Sequence, residues 1–557
     1  MAKSQATEIQ QLAEQLFVET ERTNSGIVWA ELLEYIDNNS STTGPGVGTS
    51  FSADLEDLAT GTAGAKKTRR IYDGTAIRAA DTLSSAIHGI MTNPASPWAD
   101  LKFSGPTANL NEDTQSVIAL NNSIKDIRRK ISESNFSDEI LKAYRSHVVL
   151  GNSALLSEVK PDGSYQFTAL HMAHLAWTEG VDSRVDTVAR KMILTGRQCL
   201  QRWGDNLPEK LLKKCNDKPL EKQEFIQLIT PRDASKIILN AQGLSADPKT
   251  RPIAGYYIHP QSNSIIEETG FYDMPILGVR YNTMPGEAYG RGPGHIALPD
   301  VRTLNRFKQL RLEAETLQVR PPIIANQRDI FGGKLRLGPG QLTIVRSIEG
   351  IKRFDFGGET RGVEITVEQL QVAIEKAFHL DKLLLPDRTQ TGEMSAYEVA
   401  ERVKQMNTVL GPVLARLNNE LLQPVILRLF RAELRRGSIE VTPAMQHFGT
   451  DIEVVFNNQL AQAQRIQEVT TINQWVQIVA GQAQLNPAVV DNVNFDAAAR
   501  ITGQTLGVPP EVIQDQAAIA QIRKERAEQQ QAAMLAESAP GLADAANKID
   551  EIGGRSQ

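Results

Sequence analysis

The sequence is poor in the groups that most enzyme chemistry requires. Its 557 residues include only two cysteines, Cys199 and Cys215, and eight histidines. The cysteines sit in a charged, helix-like stretch without metal-ligand spacing, so a reducing compartment is expected and a disulfide framework is not. No apolar run approaches the ~18 residues that would span a bilayer, so no membrane partner is expected. The opening "MAKSQATEIQQLAEQLF" alternates charge with apolar residues and lacks a signal-peptide core. It points to a protein made and kept inside a cell. A formal charge of −6 argues against a chain that coats nucleic acid with a basic surface, but not against one with a cavity through which nucleic acid passes.

Catalytic and phosphate-binding motifs are missing too. In "GTAGAKKT" (61–68), Lys66 stands where a phosphate loop needs its second glycine. The stretch reads as a basic, solvated loop of Lys66, Lys67, Arg69 and Arg70, or as a contact with an acidic partner or DNA. In "GRGPG" (290–294), Pro293 removes a donor that a phosphate turn would use, so a sharp, flexible turn before a helix starting at Pro299 is expected. His171 and His174 fall in a strand-like run that would point them to opposite faces, which disfavours joint metal binding. No G-x-S-x-G elbow or Ser-His-Asp order is present. The expectation is no catalytic residue, no metal and no cofactor: the chain does not read as an enzyme.

What remains is a globular composition, 41% apolar and 23% charged, long enough for several domains. Residues 5–37 read as helical, with Leu12, Leu16 and Phe17 on one face and Trp29, Leu32, Leu33 and Ile36 on another. A helix over 75–92 carries Ile77, Ala80, Leu83 and Ile87, and "WADLKF" alternates like a strand. Two helices are predicted in 112–150. Short β-branched and aromatic runs fill 153–284, separated by turn residues, and predict antiparallel strands. The fold class is α+β, mainly α.

The second half is organised around helices. Leu304, Phe307, Leu310, Ala314 and Leu317 form one stripe of a helix predicted from Pro299 to Arg320, a rod of roughly 33 Å. Pro321 and Pro322 stop it. A Gly-rich β module follows (323–361). A second helix is predicted from Thr366, with Gln369 completing a capping box and Leu370, Ala373, Ile374, Ala377 and Phe378 as its stripe, closing at Pro386. Two helices bracketing a small β module make a stalk with a head. Arg302, Arg306, Lys308 and Arg311 lie off the first stripe. Lys376 and Lys382 lie on the second helix, and Arg388 just beyond it. They read either as solvated faces or as sparse cations lining a passage for a polyanion. A long helix starts behind Ser395, with Glu398 reaching back, and runs to Gly437 with Pro412 and Pro424 inside it. Residues 458–536 read as helical and Ala/Gln-rich.

"RRIYDGTAIRAADTLSSAIHGIMTNPASPWADLKF", "GEAYGRGPGHIALPDVRTLNRFKQ", "EMSAYEVAERVKQMNTVLGPVLARLNNELLQPVILRLF", "AQAQRIQEVTTINQWVQIVAGQAQLNP" and "GVPPEVI" resemble, in this order, segments of the portal, or head-to-tail connector, proteins of short-tailed bacteriophages. The resemblance implies a portal-type fold: wing (1–290, with the long kinked helix and its return, 395–450), stem (291–320 and 362–386), clip (321–361), channel loop (387–394) and crown (451–536), with 537–557 as a disordered tail. It implies a homo-oligomeric ring, typically a dodecamer, at one capsid vertex, with double-stranded DNA in its channel. Major capsid and scaffolding proteins, terminase and a tail adaptor protein are the implied partners. Arg388, Thr389, Gln390, Thr391, Lys382, Lys376, Arg302 and Arg306 are the candidate channel residues. Leu304, Phe307, Leu310, Leu317, Leu370 and Phe378 are the candidate subunit contacts. Another phage structural protein, such as a head-tail adaptor or internal virion protein, is the alternative.

Overall fold

The computed structural model describes residues 2–22, 25–36, 71–239, 245–319, 323–325, 351–353, 361–383, 408–448, 451–456, 459–483, 489, 492–505, 519 and 521–530. The "GTAGAKKT" loop, Arg388, Thr389, Gln390, Thr391, the Ser395 cap, the final tail and the side chain of Leu317 lie outside these residues. The chain divides into two compact units, 1–96 with 128–432 and 97–127 with 433–557.

The chain opens with α1 (Ala2–Arg22), α2 (Ser25–Tyr35) and α3 (Thr75–Met91). Next come β1 (Ala99–Phe103), α4 (Thr114–Ser132) and α5 (Phe136–Leu150). Then β2 (Asn152–Val159), β3 (Tyr165–Leu170), β4 (Leu175–Glu179) and β5 (Val185–Thr195) lead to α6 (Gly196–Trp203) and α7 (Glu209–Asp217). They are followed by β6 (Lys222–Pro231), β7 (Ile253–His259), β8 (Ser264–Phe271) and β9 (Ile276–Arg280). The second half contains α8 (Pro293–Val319), β10 (Ile323–Ala325), β11 (Ile351–Arg353), α9 (Arg361–Ala377), α10 (Leu380–Leu383) and α11 (408–436). It ends with α12 (Pro443–Phe448), β12 (Ile452–Phe456), α13 (Gln459–Ala483), α14 (Phe495–Thr505) and α15 (521–530). The fold is mainly helical with antiparallel sheets.

In the larger unit, β4 to β8 form a five-stranded antiparallel sheet in sequence order, and β3-β2-β9 form a second sheet. Strand alternation gives the first sheet two apolar faces. Met192, Phe225 and Tyr257 pack under α6 and α7, against Cys199, Trp203, Leu211 and Cys215. Ala189, Ile226 and Leu228 point the other way and meet α1 through Ala13, Ile9, Leu16 and Phe17. Leu12, expected on that buried face of α1, is exposed, and Ala13 takes its place. α6 starts from a full capping box between Thr195 and Gln198. On α3 the buried stripe is Ala76, Ala79, Ala80, Leu83, Ile87 and Met91; Ile77 is only half-buried.

Three helix expectations need correction. α8 begins at Pro293, so Pro299 lies inside it. Proline at a first helical position gives up no bond, because that N–H is unpaired anyway, and Ala297, Leu298 and Val301 are buried beyond it. α9 begins at Arg361, so Thr366 is an interior residue and not its cap. α9 then stops well before Pro386: His379 adopts φ 58°, in the left-handed region, and α10 is a separate turn. In α11 the structure has a π turn at Asn418–Leu422, immediately ahead of Pro424, with the Gln423 N–H donated to the Asn418 carbonyl. The widened turn makes room for a proline that lacks an N–H and would crowd the turn before it.

In the smaller unit, β1 pairs antiparallel with β12, from Ala99↔Phe456 to Phe103↔Ile452. The Thr107 hydroxyl donates to the Asp451 carbonyl at 2.7 Å. Arg523 of α15 makes a two-pronged bond to Asp496 of α14 at 2.6 Å on each prong.

Candidate functional site

α8 leads towards β10, and β11 leads back to α9, with β10 and β11 paired antiparallel through Ile324↔Lys352. The two helices therefore run out and back. One buried carboxylate ties their bases together. Asp73, just ahead of α3, accepts from Lys308 of α8, from Gln371 of α9 at 2.9 Å and from the Thr75 N–H at 2.7 Å. Asn305 of α8 accepts from the backbone N–H groups of Tyr72 and Asp73 at 2.8 and 3.2 Å. Burial pushes the Asp73 pKa up, but Lys308, the Thr75 hydroxyl and N–H, and Gln371 outweigh it and hold the carboxyl at about 2. Eleven residues of α8 follow Lys308 and ten of α9 precede Gln371. Beyond the knot the arms are therefore matched, at roughly 15–17 Å each.

The "GRGPG" segment is a packing device and not a flexible turn. A Cβ on Gly290 would sit 2.7 Å from the Gly151 carbonyl, one on Gly292 2.8 Å from the Val148 carbonyl, and one on Gly294 would collide with the Val149 carbonyl. These glycines let the start of α8 lie directly on the C-terminal end of α5. Asn152 holds the segment by donating to the Gly290 carbonyl and accepting the Gly290 N–H, at 2.9 and 2.8 Å. Tyr289 is stacked on Trp177, with ring centroids 5.3 Å apart, and meets the edge of Trp29 at 5.1 Å.

α11 is fastened by a second knot. Arg280, at the end of β9, is buried and donates to Glu179, to Glu420 in the π turn at 2.9 Å and to the Ser183 carbonyl at 2.8 Å. Further along, Arg428 donates to the Ser157 carbonyl at 3.3 Å, and Arg431 pairs with Asp273 at 2.7 Å.

The candidate channel cations divide into two groups. Arg302 pairs with Glu31 at 3.2 Å, Lys308 with Asp73, Arg311 with Glu315 at 2.8 Å and Lys382 with Asp381 at 3.3 Å. Arg306 is exposed and bonds only Gln309, at 3.0 Å, and Lys376 is exposed with no carboxylate partner, both among the described residues. The apolar candidates divide as well. Leu304 and Phe378 are 1% and 0% exposed within the single chain. Both were expected as subunit contacts, yet each is already covered within the single chain. Phe307 and Leu370 are half-buried, and Leu310 is 43% exposed, with Leu312 and Val372 also open.

His171 and His174 are not on opposite faces of a strand. They flank a tight 3-10 turn, with ring centroids 6.3 Å apart. Among the described residues no cluster of three His, Cys, Asp or Glu side chains could hold a metal ion, and no helix is long and apolar enough to cross a membrane.

The segment order along this framework, from the ends of β1 through α8, α9 and α11, is matched by one family model, bacteriophage head to tail connecting protein, over residues 47–513. The chain belongs to that family. A connector is a structural part of the phage particle at the junction of head and tail, and it is not an enzyme. The chain is 28% identical to the probable portal protein of Bordetella phage BPP-1, over 88% of each chain. It is 25% identical to the portal protein of Salmonella phage epsilon15, over 87% of each. Among solved structures, the neck of an empty GTA particle computed with C6 symmetry covers 77% of this chain and 91% of its own, at 13% identity and a TM-score of 0.36. An overlap that loose carries no argument. Of the connector's two knots, Asp73 carried a partial signal, since Asp two residues before Thr75 is a helix-start pattern. Nothing local marks Lys308, Gln371, Arg280 or Glu420 as its distant partners.

Proposed function

We propose that copies of this connector close into a ring around an axial channel for double-stranded DNA, used in packaging and ejection. Terminase and a tail adaptor dock on its outer end, and capsid and scaffolding proteins surround it. The observation that supports this most is the α8–α9 arm. It is tied rigidly at its base, yet it carries Leu310, Leu312 and Val372 in the open. Side-by-side arms of identical subunits would cover such residues. In this reading α8, α9 and α10 form the stem, 321–361 the clip, 387–394 a channel loop, α11 and the larger unit the wing, and 451–536 the crown. Phe307, Leu310, Leu317 and Leu370 are subunit contacts.

Duplex DNA carries one negative charge per ~1.7 Å of axis, so a strongly basic bore would hold it in place. A few cations repeated around a ring favour sliding. Arg388, with Thr389, Gln390 and Thr391, forms the collar, and Arg306 and Lys376 are the stem cations with charge to spare. Arg302 and Lys382 contribute less, being already paired. Leu310→Glu tests the arm contact. Light scattering is expected to give a ring mass for the natural chain and a largely monomeric mass for the variant, with unchanged circular dichroism. A ring mass in both would remove the arm from the interface.

A further inference from the structure

The chain has only two cysteines, and the fold brings them together. Cys199 lies on α6 and Cys215 on α7, two short helices that pack on each other and on one face of the five-stranded sheet. Both are free and 0% exposed, in a cluster with Met192, Trp203, Leu211 and Phe225. A buried residue touches only about 6–12 others, so two cysteines among 557 residues seldom meet by accident. The Cys199 thiol donates a hydrogen bond to the Cys215 sulfur, and neither sulfur bonds any other side chain among the described residues.

The backbones are close enough for a covalent link. A Cβ on Gly196, at the start of α6, would sit 3.1 Å from the Cys215 Cα and 2.9 Å from the Lys218 carbonyl. Gly196 and Cys199 are three residues apart and share the buried face of α6. A disulfide needs Cα atoms roughly 4.4–6.8 Å apart, which two helices touching through a glycine can offer. Reactivity is held back in the closed fold. Burial, with Cys215 alongside, pushes the Cys199 thiol up to about 12, and burial raises Cys215 as well. Both sulfurs therefore stay protonated and inert until α6 and α7 part. Helices of eight and nine residues are marginal on their own, so this layer is suited to local opening. Of the two, Cys215 is the better first nucleophile, because the Cys199 hydrogen bond and nearby Lys214 both favour its thiolate.

We propose that Cys199 and Cys215 are a redox latch, which a small-molecule disulfide of the oxidised-glutathione class closes into an intrachain disulfide clamping α6 to α7. The Cys215 thiolate attacks the small disulfide, forming a mixed disulfide and releasing one small thiol. The Cys199 thiolate then displaces the second small thiol from Cys215. The two cysteine sulfurs are oxidised, one small disulfide is reduced, and the two cysteine protons end on the two thiols released. The latch suits a part of a phage particle, which is built in a reducing cytoplasm and later meets an oxidising medium. The fold stands with both thiols free, and the disulfide braces it afterwards.

The test uses the full chain, reduced and then incubated with oxidised glutathione, both in plain buffer and in mild denaturant that favours local opening. Both titratable thiols are expected to disappear, faster in mild denaturant. Mass spectrometry is expected to find a proteolytic fragment carrying Cys199 joined to one carrying Cys215. The unfolding temperature is expected to rise by several degrees and to return to its starting value with dithiothreitol. Cys199→Ala is expected to stop at a single glutathione adduct on Cys215, with no such rise. The natural chain alone keeps the proposal falsifiable. Thiols that stay free in both conditions, adducts that persist on the two cysteines without joining them, or a joined pair that leaves the unfolding temperature unchanged would overturn it.

Discussion

Asp73 and His147 carry opposite kinds of electrostatic stress, and both make the connector sensitive to acid. Asp73 is held at about 2, below an ordinary carboxyl, by Lys308, Thr75 and Gln371. A depressed carboxyl stabilises the fold above its unfolded pKa, and that contribution is lost as pH falls from about 4 through 2. Asp73→Asn removes the charge facing Lys308. It is expected to cost on the order of 2 kcal/mol at pH 7 by denaturant unfolding, with the difference shrinking towards pH 2. His147 of α5 is fully buried against the Tyr281 ring, with neither ring nitrogen hydrogen-bonded among the described residues. Burial, helped by Arg416, lowers its pKa to about 3. The folded protein therefore resists a proton that the unfolded chain accepts below about 6.5. Stability contributed by the neutral ring is complete above that pH and is lost as pH falls through 3. His147→Phe keeps the ring and removes the titration. It is expected to flatten the acid limb of the stability curve by up to ~4 kcal/mol between pH 7 and 3, and an unchanged slope would count against the assignment.

At the scale of elements, the critical joint is the stacking of the start of α8 on the end of α5. Gly292→Ala would drive a methyl group towards the Val148 carbonyl and the Gly151 backbone, which cannot give way as a flexible side chain could. A loss of roughly 3 kcal/mol or more is expected by chemical denaturation, larger than for a typical exposed substitution. The β region is legible in the sequence because runs such as "EFIQLIT" and "IAGYYIH" alternate between two turn-bounded ends, and both faces of the sheet are filled by α1 and α6–α7. The starts of α8 and α9 are less legible. Pro299 and the Thr366–Gln369 pair are sound local signals, but packing of Ala297 and Leu298 carries α8 past the first, and α9 begins five residues ahead of the second. The glycines of "GRGPG" are visible in the sequence, while their reason, a backbone on the far side of the contact, is not. Both knots escape sequence reading for the same cause: Asp73 and Lys308, or Arg280 and Glu420, are joined only by the fold. The channel candidates Arg388 to Thr391 lie outside the described residues, and of the stem cations only Arg306 and Lys376 keep exposed charge without a carboxylate partner among the described residues.

For the whole molecule, family membership and the fastened α8–α9 arm converge on a subunit built to stand beside copies of itself. The base of the arm is complete in one chain, since Leu304 and Phe378 are already covered. Its distal half, with Leu310 and Leu312 exposed, is where assembly would add burial. In the proposed ring, fold and assembly would be separable: the base of the arm is already covered within one chain, and ring closure would add contacts to its distal half. The most direct measurement is electron microscopy of the purified full-length protein in negative stain. Closed rings of uniform diameter with a stain-filled central hole are the expected result. A homogeneous population of monomers or compact dimers at micromolar concentration, with no annular particles, would contradict the account.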